Sequence, residues 1–143
     1  MKEVLVDTNV FISFLSDRNA RQREKASELI RSAAQHEQML VIHSMSIVEM
    51  IYVLTQLYHQ DRVEVAEDVS DLLAMPGVIS IDEVSWNLVF ERWPETIPAV
   101  GDAMLAAAAA HGRFDAVATF DRDLAKKLVR QGSSLYWPAR SSW

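Results

Sequence analysis

Four acidic residues stand where short apolar runs give way to helical patterns, a placement that suits carboxylates for binding a hard cation or moving protons. Asp7 ends the run Val4-Leu5-Val6. Glu49 lies in the first turns of the helical segment after residues 39–43, Asp102 opens an alanine-rich segment, and Asp121 follows residues 116–119. Asp123, two residues beyond Asp121, comes off the first turn of the last helical segment. In an open α/β sheet the ligand crevice lies outside the carboxyl ends of the strands. If the apolar runs are strands, Asp7, Glu49 and Asp121 project into that crevice. Asp102 joins them if its helix begins on the same rim.

Each acid also has a purely local use. Asp7 suits an Asx-turn, Ser46-x-x-Glu49 matches a capping box, Asp102 complements the positive end of its helix, and Asp121 suits an N-cap. Those uses account for the acids one at a time and leave their gathering on one rim unexplained. Glu49 is the most telling of them. Ile47, Val48, Met50, Ile51, Tyr52, Val53 and Leu54 cover nearly every side of its helix, which predicts burial. A buried carboxylate is costly unless its charge is offset, and no Lys or Arg lies between His43 and Gln60.

Carboxylates brought together repel. Two unit charges ~4 Å apart cost about 4 kcal/mol at an effective dielectric near 20, so some stay protonated or a cation sits among them. All-oxygen ligands suit Mg²⁺ or Mn²⁺ rather than zinc. One such ion orients a water and stabilises charge on a phosphoryl group, and two ions do both at once. Competing signatures are missing. There is no cysteine, no H-E-x-x-H around His36, His43, His59 or His111, no G-x-S-x-G, no P-loop and no G-x-G-x-x-G. Satisfied or solvent-facing histidines are the expectation.

The elements that must position these acids follow from periodicity. Residues 4–6, 39–43, 78–81 and 116–119 read as buried strands, with 135–137 a candidate fifth. Helical patterns occupy 9–16, 20–36, 44–59, 61–74, 83–93, 101–111 and 121–131. Met75-Pro76-Gly77 and Pro94 interrupt them. Alternation of short apolar strands with helices predicts an α/β domain around a mostly parallel sheet.

The chain has 143 residues, half of them apolar and 24% charged, which predicts one globular domain over residues 1–143. Residues 133–143 are the candidate mobile tail, with Trp137 and Trp143 able to dock. No apolar run approaches the ~20 residues that span a bilayer. Asp7 comes too early for a secretory leader, which predicts a cytoplasmic protein. Fourteen basic against 20 acidic residues give a net charge of −6, which disfavours non-specific grip on nucleic acid. Basic residues nonetheless form two groups: Arg18, Arg21, Arg23 and Lys25, then Lys126, Lys127 and Arg130. A solvated face explains either group, and phosphate contact flanking an acidic centre is the functional alternative.

Lined up in this way, the chain resembles the PIN-domain family, and within it the small VapC-type toxin ribonucleases. The matching pieces are Val4-Leu5-Val6-Asp7-Thr8-Asn9, Ser46-Ile47-Val48-Glu49, Gly101-Asp102-Ala103-Met104-Leu105-Ala106-Ala107 and Ala118-Thr119-Phe120-Asp121-Arg122-Asp123-Leu124, in the family's order. The resemblance implies a three-layer α/β/α sandwich and a Mg²⁺- or Mn²⁺-dependent ribonuclease. In it Asp7, Glu49, Asp102 and Asp121 hold the metal centre, Asp123 adds a further acid, and Asn9 and Thr119 support the acids. A metal-activated water then attacks phosphorus in line. It also implies a homodimer neutralised by a small antitoxin whose C-terminal segment enters the acidic groove. The alternatives are a PIN nuclease of RNA processing without an antitoxin, and a degenerate module that only binds. A strand ending in Asp also opens the haloacid-dehalogenase-like phosphatases, but their second Asp is Asn9 here.

Overall fold

The apolar runs are strands, and those at residues 4–6, 39–42 and 116–118 are apolar on both faces because helices cover both sides of the sheet there. The computed structural model describes residues 1–138, with β1 (Lys2–Val6), β2 (Gln38–His43), β3 (Val78–Ile81) and β4 (Ala116–Ala118). All four pair in parallel in the order β3-β2-β1-β4. In register, Val4 stands beside Leu40 on one side and Ala116 on the other. Because side chains alternate along a strand, Val4, Val6, Leu40 and Ile42 enter one core, and Leu5, Val41 and Val117 the other.

The first core is closed by α1 (Thr8–Phe14), α2 (Ala20–Ala34), α3 (Ser44–Tyr52) and α4 (Arg62–Ala74). They contribute Phe11, Leu29, Ile30, Met50, Val65 and Leu72. The second core is closed by α5 (Trp86–Phe90), α6 (Val100–His111) and α7 (Arg122–Arg130). Here Ala103, Ala106 and Ala107 bring α6 close to the sheet, and Leu124 and Leu128 seal α7. Removing a fully buried side chain such as Leu5 to alanine would cost roughly 2–5 kcal/mol. The arrangement is the α/β/α sandwich that the sequence predicts.

The elements depart from expectation in particular places. α3 ends at Tyr52 and continues as a π-helical turn, Val53–Leu57. The helix expected over 83–93 is reduced to Trp86–Phe90, with turns over 91–96. Two constraints shorten it: the Glu83 carbonyl is taken by His43 Nε2 at 2.9 Å, and Pro94 cannot continue a helix. Instead of a fifth strand there is one parallel bridge, Leu135 to Val117. Past it, Trp137 stacks flat on Phe120 with ring centroids 4.7 Å apart, and the Tyr136 hydroxyl lies 2.9 Å from Gln38 Nε2. Residues 133–138 therefore pack on the protein's own surface, while Trp143 lies outside the described residues. Among the described residues no helix is long and apolar enough to cross a membrane.

Candidate active site

β1 lies between β2 and β4, so the chain turns to opposite sides of it, and the crevice opens at the carboxyl ends of β1 and β4. Asp7 and Thr119 are the first residues past those two ends. Asp7 extends the ladder through its N–H to the Ala118 carbonyl, 2.9 Å, and then caps α1. Its Oδ1 accepts from Thr8 N–H at 2.8 Å and its Oδ2 from the Thr119 hydroxyl at 2.7 Å. Thr119 Oγ1 in turn accepts from Asp121 N–H at 3.0 Å and from Asn9 Nδ2 at 3.5 Å. Asn9 Oδ1 accepts from Phe120 N–H at 3.2 Å. Thr119 and Asn9 thus lace the ends of β1 and β4 together around the Asp7 carboxylate.

Asp7 is 7% exposed, and burial pushes its pKa up to about 7. The Thr119 bond pulls the other way, while the charges of Asp102 and Glu49 add to the rise. Asp102 sits half-buried in the first turn of α6. Its pKa is pushed up to about 6, by desolvation first and then by Asp121 and Glu49, against a pull from Lys127. Asp121 caps α7 through Oδ1 and Leu124 N–H, 3.0 Å, as its N-cap reading expects. The carboxylates therefore feel one another across a single rim, whatever local bonds they make.

Glu49 departs from expectation twice. It is exposed, not buried, because the outward side of α3 is itself uncovered: Met45 is 47%, Val48 59% and Tyr52 56% exposed. The capping box with Ser46 is also not formed. α3 starts at Ser44 and is capped by His43, whose Nδ1 accepts from Met45 N–H at 3.1 Å, leaving Ser46 inside the helix. With Nε2 2.9 Å from the Glu83 carbonyl, both ring nitrogens of His43 have partners. Gly101, beside Asp102, lies close under Glu49. A Cβ there would stand 3.0 Å from Glu49 Oε2, so a larger residue would make that carboxylate give by a few tenths of an ångström. Gly101 appears in the sequence motif, but its spacing alone does not show that closeness.

The donor set is carboxylate and hydroxyl oxygen throughout, and Thr8 Oγ1 beside Asp7 is buried without a hydrogen-bond partner. That chemistry fits a hard divalent cation. Among the described residues, no three Asp, Glu, His or Cys side chains converge tightly enough to hold a metal ion. The acids share a field without meeting at a point. Asp123 is exposed in the first turn of α7, outside the set that raises Asp7 and Asp102.

The two basic groups separate. Arg18 is committed to the Tyr58 ring, 3.6 Å from its centroid, and Arg23 shares a recess with Asp68 and Asp71. Arg21 and Lys126 are exposed. Lys127 reaches the acid centre through its effect on Asp102, and with Arg130 it lines a recess that also contains Arg92. Arg92 has no sequence signal: it is far along the chain from either group. Beside Glu49, an apolar recess of about 310 Å³ is lined by Met45, Ser46, Tyr52, Val100 and Met104.

The crystal structure of PAE2754 from Pyrobaculum aerophilum has the same fold. It is 19% identical, with 91% of this chain and 89% of that one covered and a TM-score of 0.57. No curated protein matches significantly. The model of the PIN domain matches residues 4–128, from the middle of β1 to the end of the core face of α7. PIN domains are generally nucleases that use divalent metals. With that match running from Val4 through all four acids to Leu128, the chain belongs to the PIN domain family.

Proposed function

We propose that this protein is a metal-dependent ribonuclease that hydrolyses RNA phosphodiester bonds, and that it acts as the toxin of a type II toxin–antitoxin pair. The observation that carries the nuclease is Asp7. It is a buried carboxylate at the switch point of the sheet, and its charge is opposed by those of Asp102 and Glu49. Asp7, Asp102, Asp121 and Glu49 are the residues to hold Mg²⁺ or Mn²⁺. A bound ion of this kind supplies Lewis-acid stabilisation of the phosphoryl group and lowers the pKa of the attacking water. Asn9 and Thr119 keep Asp7 in one rotamer, and Asp123 is available at the edge of the site. The family's habit of working through such acids supports the assignment.

The toxin role draws support from the uncovered apolar side of α3. Val48, Ile51 and Tyr52 form a groove with Val63 of α4, and Met45 and Tyr52 line the recess beside Glu49. Apolar surface of this kind marks protein interaction sites. A second copy of the chain and an antitoxin segment are the two partners proposed for it, in the cytoplasm.

Sequencing of 5′ ends in total bacterial RNA incubated with the purified protein tests the proposal. The arms are Mn²⁺, Mn²⁺ with chelator, and Asp102→Asn with Mn²⁺. New ends in the first arm alone are expected, and they name the target. Ends of equal number in all three arms would refute metal-dependent cleavage at this site. Mn²⁺ should also raise the melting temperature, by binding the folded state, and Asp102→Asn should shrink that rise.

A further inference from the structure

Arg92, Lys127 and Arg130 line one recess of about 300 Å³ between α7 and the turns after α5, with Thr96 and Gln131 on its walls. Arg92 is held there before any ligand arrives. Its Nε donates to Gln131 Oε1 at 2.9 Å and its Nη1 to the Leu88 carbonyl at 2.8 Å, and the side chain is only 16% exposed. Gln131 is itself fixed, donating to the Ala106 carbonyl of α6 at 3.0 Å and to Ser133 Oγ at 2.9 Å. The guanidinium is thus tied through Gln131 to α6, the helix whose first turn carries Asp102.

Among the described residues that line the recess, the one acid is weakly held. Glu91 Oε2 lies 3.7 Å from Arg92 Nη1 on a side chain that is 66% exposed. A solvent-facing pair of that kind is worth about 0–1 kcal/mol, and Glu91 can swing away. Three cations against one loose carboxylate is a local reversal of sign in a chain of net charge −6. The recess neighbours the acid centre, since the Lys127 charge is felt at Asp102.

We propose that this recess is a subsite for one phosphodiester of the RNA strand, flanking the bond presented to the acid centre; the proposal rests on the ribonuclease reading. An acidic centre repels the polyanion it must cut, so the strand needs a cationic hold close by. Contacts to phosphates set the position and register of a strand without reading its sequence. A guanidinium already pinned through Nε and Nη1 loses little freedom on binding, and Nη2, which makes neither of those bonds, is the nitrogen to donate to a phosphate oxygen. Binding energy gained there, away from the reacting bond, goes into orienting the scissile phosphate.

The test uses the full chain with Mn²⁺ and a short oligoribonucleotide containing one cleavage site. One linkage at a time is replaced by a neutral methylphosphonate, and kcat/KM is measured for each. In wild type, one flanking linkage should lose about tenfold on neutralisation. In Arg92→Gln and in Arg130→Gln the unmodified RNA should lose a comparable factor, and neutralising that same linkage should then cost less than about twofold. This non-additivity is the signature of direct contact. Glu91→Gln should raise kcat/KM. Arg130 is exposed, so its variant keeps the test intact if Arg92→Gln does not fold. Cleavage with no linkage coupled to Arg92 or Arg130 overturns the subsite and leaves the ribonuclease standing. Failure to cut or bind the unmodified RNA refutes both.

Discussion

Asp7→Asn should make the metal-free protein more stable at alkaline pH and less stable at acid pH. The ordinary carboxyl pKa of 3.8 is raised to about 7 in the fold, chiefly by burial. The folded state therefore holds a proton that the unfolded chain releases anywhere between those values. Stability on this account is complete below pH 3.8 and is lost as pH rises through about 7. At ~1.4 kcal/mol per pH unit, an ionised Asp7 costs the fold about 4 kcal/mol at pH 8. Asparagine carries no such charge. It also forfeits part of the pair of bonds from Thr8 N–H and the Thr119 hydroxyl, because its Nδ2 cannot accept. That loss is about 2 kcal/mol.

The net expectation is a gain of about 2 kcal/mol at pH 8, a loss of similar size at pH 4, and a crossing near pH 5. At roughly 3–4 °C per kcal/mol for a chain of this length, the variant melts about 6–8 °C higher at pH 8 in chelator. Thermal melts of both proteins at half-unit steps of pH measure it, and their difference removes the titrating groups that do not interact with Asp7. A difference that stays flat from pH 4 to 8 would refute the claim that Asp7 is a desolvated carboxylate opposed by its neighbours.

Three further substitutions probe the supports of the site. Thr119→Val removes the donor to Asp7 and the acceptor of Asp121 N–H, costing roughly 2–3 kcal/mol. With that donor gone the Asp7 pKa rises further, so the acid limb of a pH–kcat/KM profile should move to higher pH; an unmoved limb tells against Asp7 acting as an ionised group. Gly101→Ala puts a methyl 3.0 Å from Glu49 Oε2. The carboxylate is exposed and can yield, so stability should change by less than about 1 kcal/mol, while Mn²⁺ affinity read from thermal shifts drops several-fold; unchanged affinity would remove Glu49 from the centre. Trp137→Ala loses the stack on Phe120 and should lower stability by about 1–3 kcal/mol in denaturant melts; no change would mean residues 133–138 add nothing to the core.

The legible parts of the fold are those where one physical cause dominates. β3 falls on Val78–Ile81 because Gly77, at φ 84 with the Ala33 carbonyl against it, forces a turn just before. β4 stops one residue short of expectation because Thr119 leaves the ladder to bond Asp7 and Asp121. The overlong helix at 83–93 shows the opposite case. Its apolar spacing was compatible with a helix, but a carbonyl requisitioned by His43, 40 residues away, is invisible in periodicity. The site divides in the same way. Acids at strand ends are readable because strand ends are. The Arg92 anchor is not, since it depends on Gln131 and Ala106 meeting across two helices.

Glu49 departs furthest from what its sequence pattern implies. A helix apolar on all sides was expected to be interior, yet α3 keeps Val48, Ile51 and Tyr52 in solvent. The pattern reports apolar surface that needs a cover, and a cover can come from another chain as well as from this one. The consequence for the site is a division between its carboxylates. Asp7 is buried and tied by two hydrogen bonds, so its position is set by the sheet and its ionisation is costly. Glu49 is exposed on the uncovered side of α3, beside Gly101 at the start of α6. The site thus pairs one acid fixed by the sheet with one exposed on a helix. A partner seated on the apolar side of α3, as proposed, would therefore lie on turns adjoining Glu49.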